Sequence, residues 1–168
     1  MNADIRIASP SDKRLIENLI PYYIYDMSEY MGWDPDSKGN YSGCDELLKC
    51  WEKPGHSPYL IRAEGKVAGF AMVRPYPDVL IRSEILEFFI LRKFKGNGVG
   101  RGSACLMFER HPGPWLIRVL DENKGARSFW TKVIRAYTGN EFAQSSEQYV
   151  CPHSGTWPMQ YYRFESKG

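Results

Sequence analysis

Apolar positions along this chain change period several times, and each change marks an element. Ile5-Arg6-Ile7 alternates as a short strand. Ser9-Pro10-Ser11-Asp12 then offers an N-cap, a proline at the first helical position and an acid three residues after the cap, which predicts a helix start. Leu15, Ile16, Leu19 and Ile20 continue at helical spacing, while Pro21 and the aromatic run Tyr22-Tyr23-Ile24-Tyr25 predict a break before a second helical piece over Asp26 to Tyr30. From Gly32 to Gly55 the chain is rich in Gly, Asp, Pro and Lys, the pattern of a surface excursion with one short helix over Asp45 to Trp51. Tyr59 to Arg62 and Val67 to Val73 flank Glu64-Gly65-Lys66, which predicts a β-hairpin.

Glu84 to Leu91 is a nearly continuous apolar run, suited to a central strand buried on both faces, with Glu84 and Glu87 as its exceptions. Gly98 to Arg110 reads as a helix stopped by His111-Pro112-Gly113-Pro114, and Trp115 to Leu120 as the next strand. A last helix starting near Asn123 sets Ala126, Phe129, Trp130, Val133, Ile134 and Tyr137 on one apolar stripe. Strands around Phe142 to Val150 and Trp157 to Phe164 would close the sheet. With no internal repeat and no dividing linker, residues 1–168 read as a single domain.

Composition narrows the function. The 168 residues suit one core, and 43% hydrophobic residues are enough to fold it. The net charge of +2, from 22 basic and 20 acidic residues, supplies no general pull toward nucleic acid or anionic membrane, so any anion site is local. The opening MNADIRIASPSDKR lacks the apolar core of a signal peptide, and no stretch approaches the roughly 18 apolar residues of a membrane span, so a cytoplasmic protein is expected. Cys44, Cys50, Cys105 and Cys151 form no CxxC pair, and His56, His111 and His153 show no ligand spacing; reduced thiols and no bound metal follow.

The chemistry concentrates in Phe94-Lys95-Gly96-Asn97-Gly98-Val99-Gly100-Arg101-Gly102, between an apolar strand and a helix. Glycines let the backbone turn sharply and approach a ligand, and a helix start offers unpaired N–H groups, so phosphate is the natural guest. Lys95 and Arg101 add positive charge beside that cradle. Neither GxxxxGK[ST] nor GxGxxG can be laid over these glycines, which excludes a P-loop and a dinucleotide fingerprint.

With the preceding strand, Phe88 to Gly100 resembles the signature of the GNAT family (GCN5-related N-acetyltransferases), a central strand followed by [QR]-x-x-G-x-[GA], with Lys95 where the family has Gln or Arg. A second segment, Asn123-Lys124-Gly125-Ala126-Arg127-Ser128-Phe129-Trp130-Thr131-Lys132, is similar to the family's N-x-x-A-x-x-F-Y-x-K. The resemblance implies an α/β fold with a mixed, mainly antiparallel twisted sheet and helices on both faces. It implies acetyl-CoA as co-substrate, its pantetheine arm along the backbone of Phe88, Phe89 and Ile90, its phosphates at Lys95, Gly96, Asn97, Gly98, Val99, Gly100 and Arg101, and further contacts at Asn123 and Trp130. Trp130 stands where the family's tyrosine protonates the departing thiolate, and an indole N–H cannot do so. Asn123 also suits a helix N-cap and Trp130 a packed stripe.

Acetyl transfer to an amine also needs a proton acceptor, for which Glu87 is the candidate; some relatives use a Glu on the following strand, where this chain has Arg118. Tyr22, Tyr23, Tyr25, Asp26 and Glu29 fall in the region that shapes the acceptor pocket in the family, and acids beside aromatics suit a cationic amine, small molecule or peptide. A homodimer is compatible with this reading. Its rivals are an acyl-CoA-binding sensor or degenerate acetyltransferase without turnover, and a nucleic-acid binder using Lys93, Lys95, Arg101 and Arg110, which the near-neutral charge disfavours.

Overall fold

The computed structural model describes residues 1–42, 49–78, 80–151 and 155–168. Seven strands are present among these residues: β1 (Ala3–Ile7), β2 (Ser57–Ala63), β3 (Lys66–Arg74), β4 (Ser83–Ile90), β5 (Gly113–Leu120), β6 (Phe142–Cys151) and β7 (Gly155–Ser166). They follow the order β1-β2-β3-β4-β5-β7-β6. The β1/β2, β2/β3, β5/β7 and β6/β7 pairs are antiparallel and β4/β5 is parallel, the mixed, mainly antiparallel sheet expected. Among the described residues three α-helices accompany it, α1 (Lys13–Met31), α2 (Val99–Arg110) and α3 (Lys124–Thr138). None among the described residues is long and apolar enough to cross a membrane. The chain groups into two compact units, Met1–Arg74 with Glu87–Ser103, and Pro75–Leu86 with Ala104–Gly168.

In the first unit the hairpin forms where expected, because Glu64 and Gly65 take left-handed backbone (φ 51° and 75°) and reverse the chain between β2 and β3. Ile5 faces Ile61 and Ile61 faces Gly69, whereas Leu60 faces Phe70 on the other side of the sheet. Helices lie on both of these faces: Tyr23 of α1 meets Phe70, and Gly102 in the first turns of α2 meets Ala3. Asp12 accepts from the Ser9 N–H at 2.8 Å and takes both Arg6 guanidinium nitrogens, at 2.6 and 2.7 Å, which fixes the start of the helical segment.

Pro21 does not break α1. The helix runs through it to Gly32, a left-handed C-cap (φ 64°) whose N–H reaches Ser28 O. Ile16, Ile20 and Ile24 are buried one turn apart on both sides of the proline, while Pro21 is exposed, so the Glu17 carbonyl that loses its partner can be solvated. Packing of one apolar row outweighs the local penalty. Of the short helix expected over Asp45 to Trp51, only a single 3-10 turn, Lys49–Trp51, falls among the described residues; positions 45–48, Cys44 and His153 lie outside them.

The second unit packs an aromatic core. The Phe108 ring from α2 meets Trp115 of β5 (5.0 Å between centroids), Tyr137 of α3 (5.1 Å) and Phe164 of β7 (4.9 Å), all edge-on, the geometry their quadrupoles favour. Trp130, Val133 and Ile134 are the buried part of the predicted stripe on α3.

Candidate functional site

The glycine turn hangs between two buried anchors, Phe94 and Val99, 5% and 0% exposed. A 3-10 turn over Arg92–Phe94 leads from β4 into it, and Gly96 and Gly98 both adopt left-handed backbone, φ 79° and 81°. A Cβ built on either would meet nothing within 4 Å. The glycines are therefore required by backbone conformation, and the space they leave open faces outward. The Gly102 N–H bonds Gly98 O at 2.9 Å, closing the first turn of α2, so the N–H groups of Val99, Gly100 and Arg101 have no helical acceptor. Asn97 Nδ2 donates to Lys95 O at 3.2 Å, which holds the loop shape. That arrangement fits the phosphates of a nucleotide-bearing thioester. Gly102 has a different duty from the others, since its Cβ would lie 3.2 Å from the Ala3 side chain and it permits close packing of α2 on β1.

Charge beside the turn is already partnered. Asp26 of α1 accepts from Lys95 Nζ at 3.0 Å and from Arg92 Nη2 at 2.7 Å. Partial burial pushes the Asp26 carboxyl up, but these two cations outweigh it and hold it below the usual carboxylate range. Arg101 is exposed. Asp26, expected among the acceptor-facing residues, is thus paired with two cations beside the turn.

On β4 alternation places Glu87 with Phe89 on the side facing α1. Tyr23 Oη donates to Glu87 Oε2, and the Tyr23 ring sits edge-on to Phe70 and Phe89 at 6.0 Å from each. A half-buried carboxylate thereby receives a hydroxyl donor whose orientation is fixed by two aromatic neighbours. Phe88 is half-buried, Phe89 and Ile90 buried. β3 approaches this segment closely: Leu91 N–H donates to Ala68 O at 2.8 Å, and Gly69 has no room for a side chain against Phe89 O.

In the second unit Asn123 caps α3, its Oδ1 accepting from Ala126 N–H at 2.9 Å. Trp130 is 6% exposed and packs on Phe129 and Phe108. Arg118 pairs with Glu84, the two side chains 7% and 1% exposed. The guanidinium carbon lies 4.1 Å from the Tyr149 ring centroid and 5.9 Å from that of Tyr76. Burial pulls the Arg118 pKa down, but the Glu84 charge and hydrogen bond raise it beyond an arginine's ordinary value.

The Acetyltransferase (GNAT) family profile matches residues 21–134, most of the chain, including the glycine turn, the strand that carries Glu87 and the segment from Asn123 to Trp130. The chain belongs to the GNAT acetyltransferase family. No curated protein matches it by sequence. Solved structures share its fold: an N-acetyltransferase from Staphylococcus aureus Mu50 (16% identity, 99% of this chain and 100% of that one, TM-score 0.67) and yncA from Salmonella typhimurium with its cofactor acetyl-CoA (13%, 99% and 95%, 0.65). A third is a chimera of spermidine N-acetyltransferase SpeG from Vibrio cholerae with hSSAT (14%, 99% and 96%, 0.66).

GNAT enzymes use acetyl-CoA as donor. Within the matched span, the first unit brings together Glu87 to Ile90 and the turn from Lys95 to Arg101, while Asn123 and Trp130 belong to the second. The sequence reading named Tyr23 and Asp26 only as acceptor-side candidates and missed their bonds to Glu87 and Lys95. Arg118, noted for replacing an acid, has its own acid in Glu84. Such pairings between distant segments leave no mark in local periodicity.

Proposed function

We propose that this GNAT member transfers an acetyl group directly from acetyl-CoA to an amine, on a small molecule or a peptide. The observation that carries this reading is the left-handed pair Gly96 and Gly98, which opens the start of α2 immediately after the strand carrying Glu87 and its Tyr23 donor. The phosphates of acetyl-CoA take the N–H groups of Val99, Gly100 and Arg101, and the backbone of Phe88, Phe89 and Ile90 receives the pantetheine arm as an added strand. The deprotonated amine attacks the thioester carbonyl; a C–N bond forms, the C–S bond breaks, and the sulfur leaves with the electron pair. Glu87 accepts the amine proton, directly or through water, and backbone N–H groups stabilise the developing oxyanion. Trp130 lies in a packed core and donates no proton, so water protonates the thiolate, an acceptable leaving group because thiols of this kind have a pKa of roughly 8.5.

The test is CoA release on presenting acetyl-CoA with polyamine, aminoglycoside, amino-acid and peptide amines in turn, together with calorimetry of acetyl-CoA binding. Turnover with one amine class, lowered about 10²-fold by Glu87→Gln at unchanged acetyl-CoA affinity, is the expected result. Binding without turnover for any amine would make the chain an acyl-CoA sensor. Failure of Gly98→Val to weaken binding would remove the turn from the donor site.

A further inference from the structure

A concavity rich in cations lies in the second unit, on the side of α3 that faces the β6/β7 hairpin. There a cavity of about 490 Å³, within the size range of ligand pockets, is lined by Lys124, Arg127, Lys132 and Arg135 from one helix face. Thr131 and Tyr162, also in its wall, have their hydroxyls 3.0 Å apart, and the two oxygens share one proton, which leaves the other hydroxyl proton available to a ligand. Of the four cations only Arg127 has an acid, Asp121 at 3.1 Å; Lys124, Lys132 and Arg135 form no ion pair among the described residues. Lys132 and Arg135, neither with an acid among the described residues, are like charges three residues apart on one helix, an arrangement that destabilises a helix unless an anion offsets it. In a chain whose net charge is only +2, concentrating cations around one concavity is a local feature, not a by-product of a basic protein.

We propose that this groove binds a ligand carrying two linked phosphates, separately from the acetyl-CoA turn. The three uncompensated charges, Lys124, Lys132 and Arg135, match a ligand of two or more negative charges; the guanidinium fork of Arg135 suits phosphate oxygens, and Lys124 and Lys132 add point charges. The shared chemistry is a pyrophosphate group, free or on a nucleoside.

Calorimetry with inorganic pyrophosphate and with ADP tests it, using the full chain, Gly98→Val and the double variant Lys124→Gln/Arg135→Gln. The expected result is pyrophosphate binding by the full chain and by Gly98→Val, weakened at least tenfold when Lys124→Gln/Arg135→Gln is added to Gly98→Val, while the double variant alone keeps its circular dichroism spectrum and its acetyl-CoA affinity. In Gly98→Val, tighter binding of ADP than of pyrophosphate assigns the ligand to a nucleotide, and equal binding assigns it to free pyrophosphate. No binding by the full chain, equal binding by Gly98→Val with and without the two groove substitutions, loss in Gly98→Val alone, or tighter binding of an oligoglutamate peptide each overturns the proposal. A parallel loss of acetyl-CoA affinity in the double variant also overturns it, since the groove would then belong to the donor site. If acetyl-CoA binds nowhere while the pyrophosphate pattern holds, the donor reading falls and this one stands.

Discussion

Replacing Gly69 by alanine is the sharpest test of how rigidly β3 is set against β4. Ile61 faces Gly69 but Arg62 faces Val67, so Ala68 is the extra residue of a β-bulge that presses this part of β3 toward Phe89. A Cβ on Gly69 would stand 1.9 Å from Phe89 O, 2.9 Å from its carbonyl carbon and 3.1 Å from Ile90 Cα, all backbone atoms that cannot swing aside. A carbon and a carbonyl oxygen need about 3.3 Å, so the strands must part by roughly 1.4 Å. The Leu91 N–H to Ala68 O bond, 2.8 Å long, does not survive that separation. One or two buried backbone groups left unpaired at about 1–3 kcal/mol each, with lost packing, amount to about 3–5 kcal/mol, or a melting temperature lower by roughly 6–20 °C. The control is Gly65→Ala, where φ is 75° and the space is open, so that only the backbone penalty of about 1 kcal/mol applies. Thermal and urea unfolding would measure both. Equal melting of the two variants would refute the argument.

Four further outcomes are expected. Tyr23→Phe deprives the Glu87 carboxylate of a donor, so the CoA-release rate falls and the acidic limb of its pH profile moves to higher pH; an unmoved limb would mean that Glu87 is not the proton acceptor. Asp26→Asn frees Lys95 and Arg92, which should tighten acetyl-CoA binding severalfold and steepen its salt dependence in calorimetry, at less than about 1 kcal/mol of stability. Trp130→Ala should cost about 3–5 kcal/mol in urea unfolding, whereas Trp130→Phe keeps most stability and most turnover. Burial, with Arg110 and Arg82 nearby, lowers the His111 pKa below 6.5, so the unfolded chain takes up protons that the folded chain refuses. The stability of neutral His111 is complete above pH 6.5 and is lost as pH falls toward the lowered value; urea midpoints should drop over that window, and less steeply in His111→Gln.

What the sequence made legible was set by local physics. Glu64-Gly65 announced its hairpin because left-handed backbone is a local demand, and the stripe from Ala126 to Tyr137 announced α3 because burial has a helical period. Pro21 misled because its penalty is local while its remedy, the row Ile16, Ile20 and Ile24 packed in the core, is tertiary. The glycine cluster was visible as a cluster, but its division was not: Gly96 and Gly98 serve backbone shape, while Gly102 answers to Ala3 at the far end of the chain. The bonds of Tyr23 to Glu87 and of Asp26 to Lys95 depend on how α1 lies across β4, which no spacing within either segment encodes.

The buried pair of Glu84 and Arg118 limits how this lineage can change. Losing either member alone strands a charge in the interior, at about 3–5 kcal/mol, a large part of what a domain of this size has to spare. Replacing both with apolar residues of similar volume can be neutral or favourable. The two positions therefore cannot drift independently; they change together, or after some other substitution has supplied enough stability to carry the intermediate. Related chains should show Glu with Arg at this pair, or two apolar residues, and seldom a mixture.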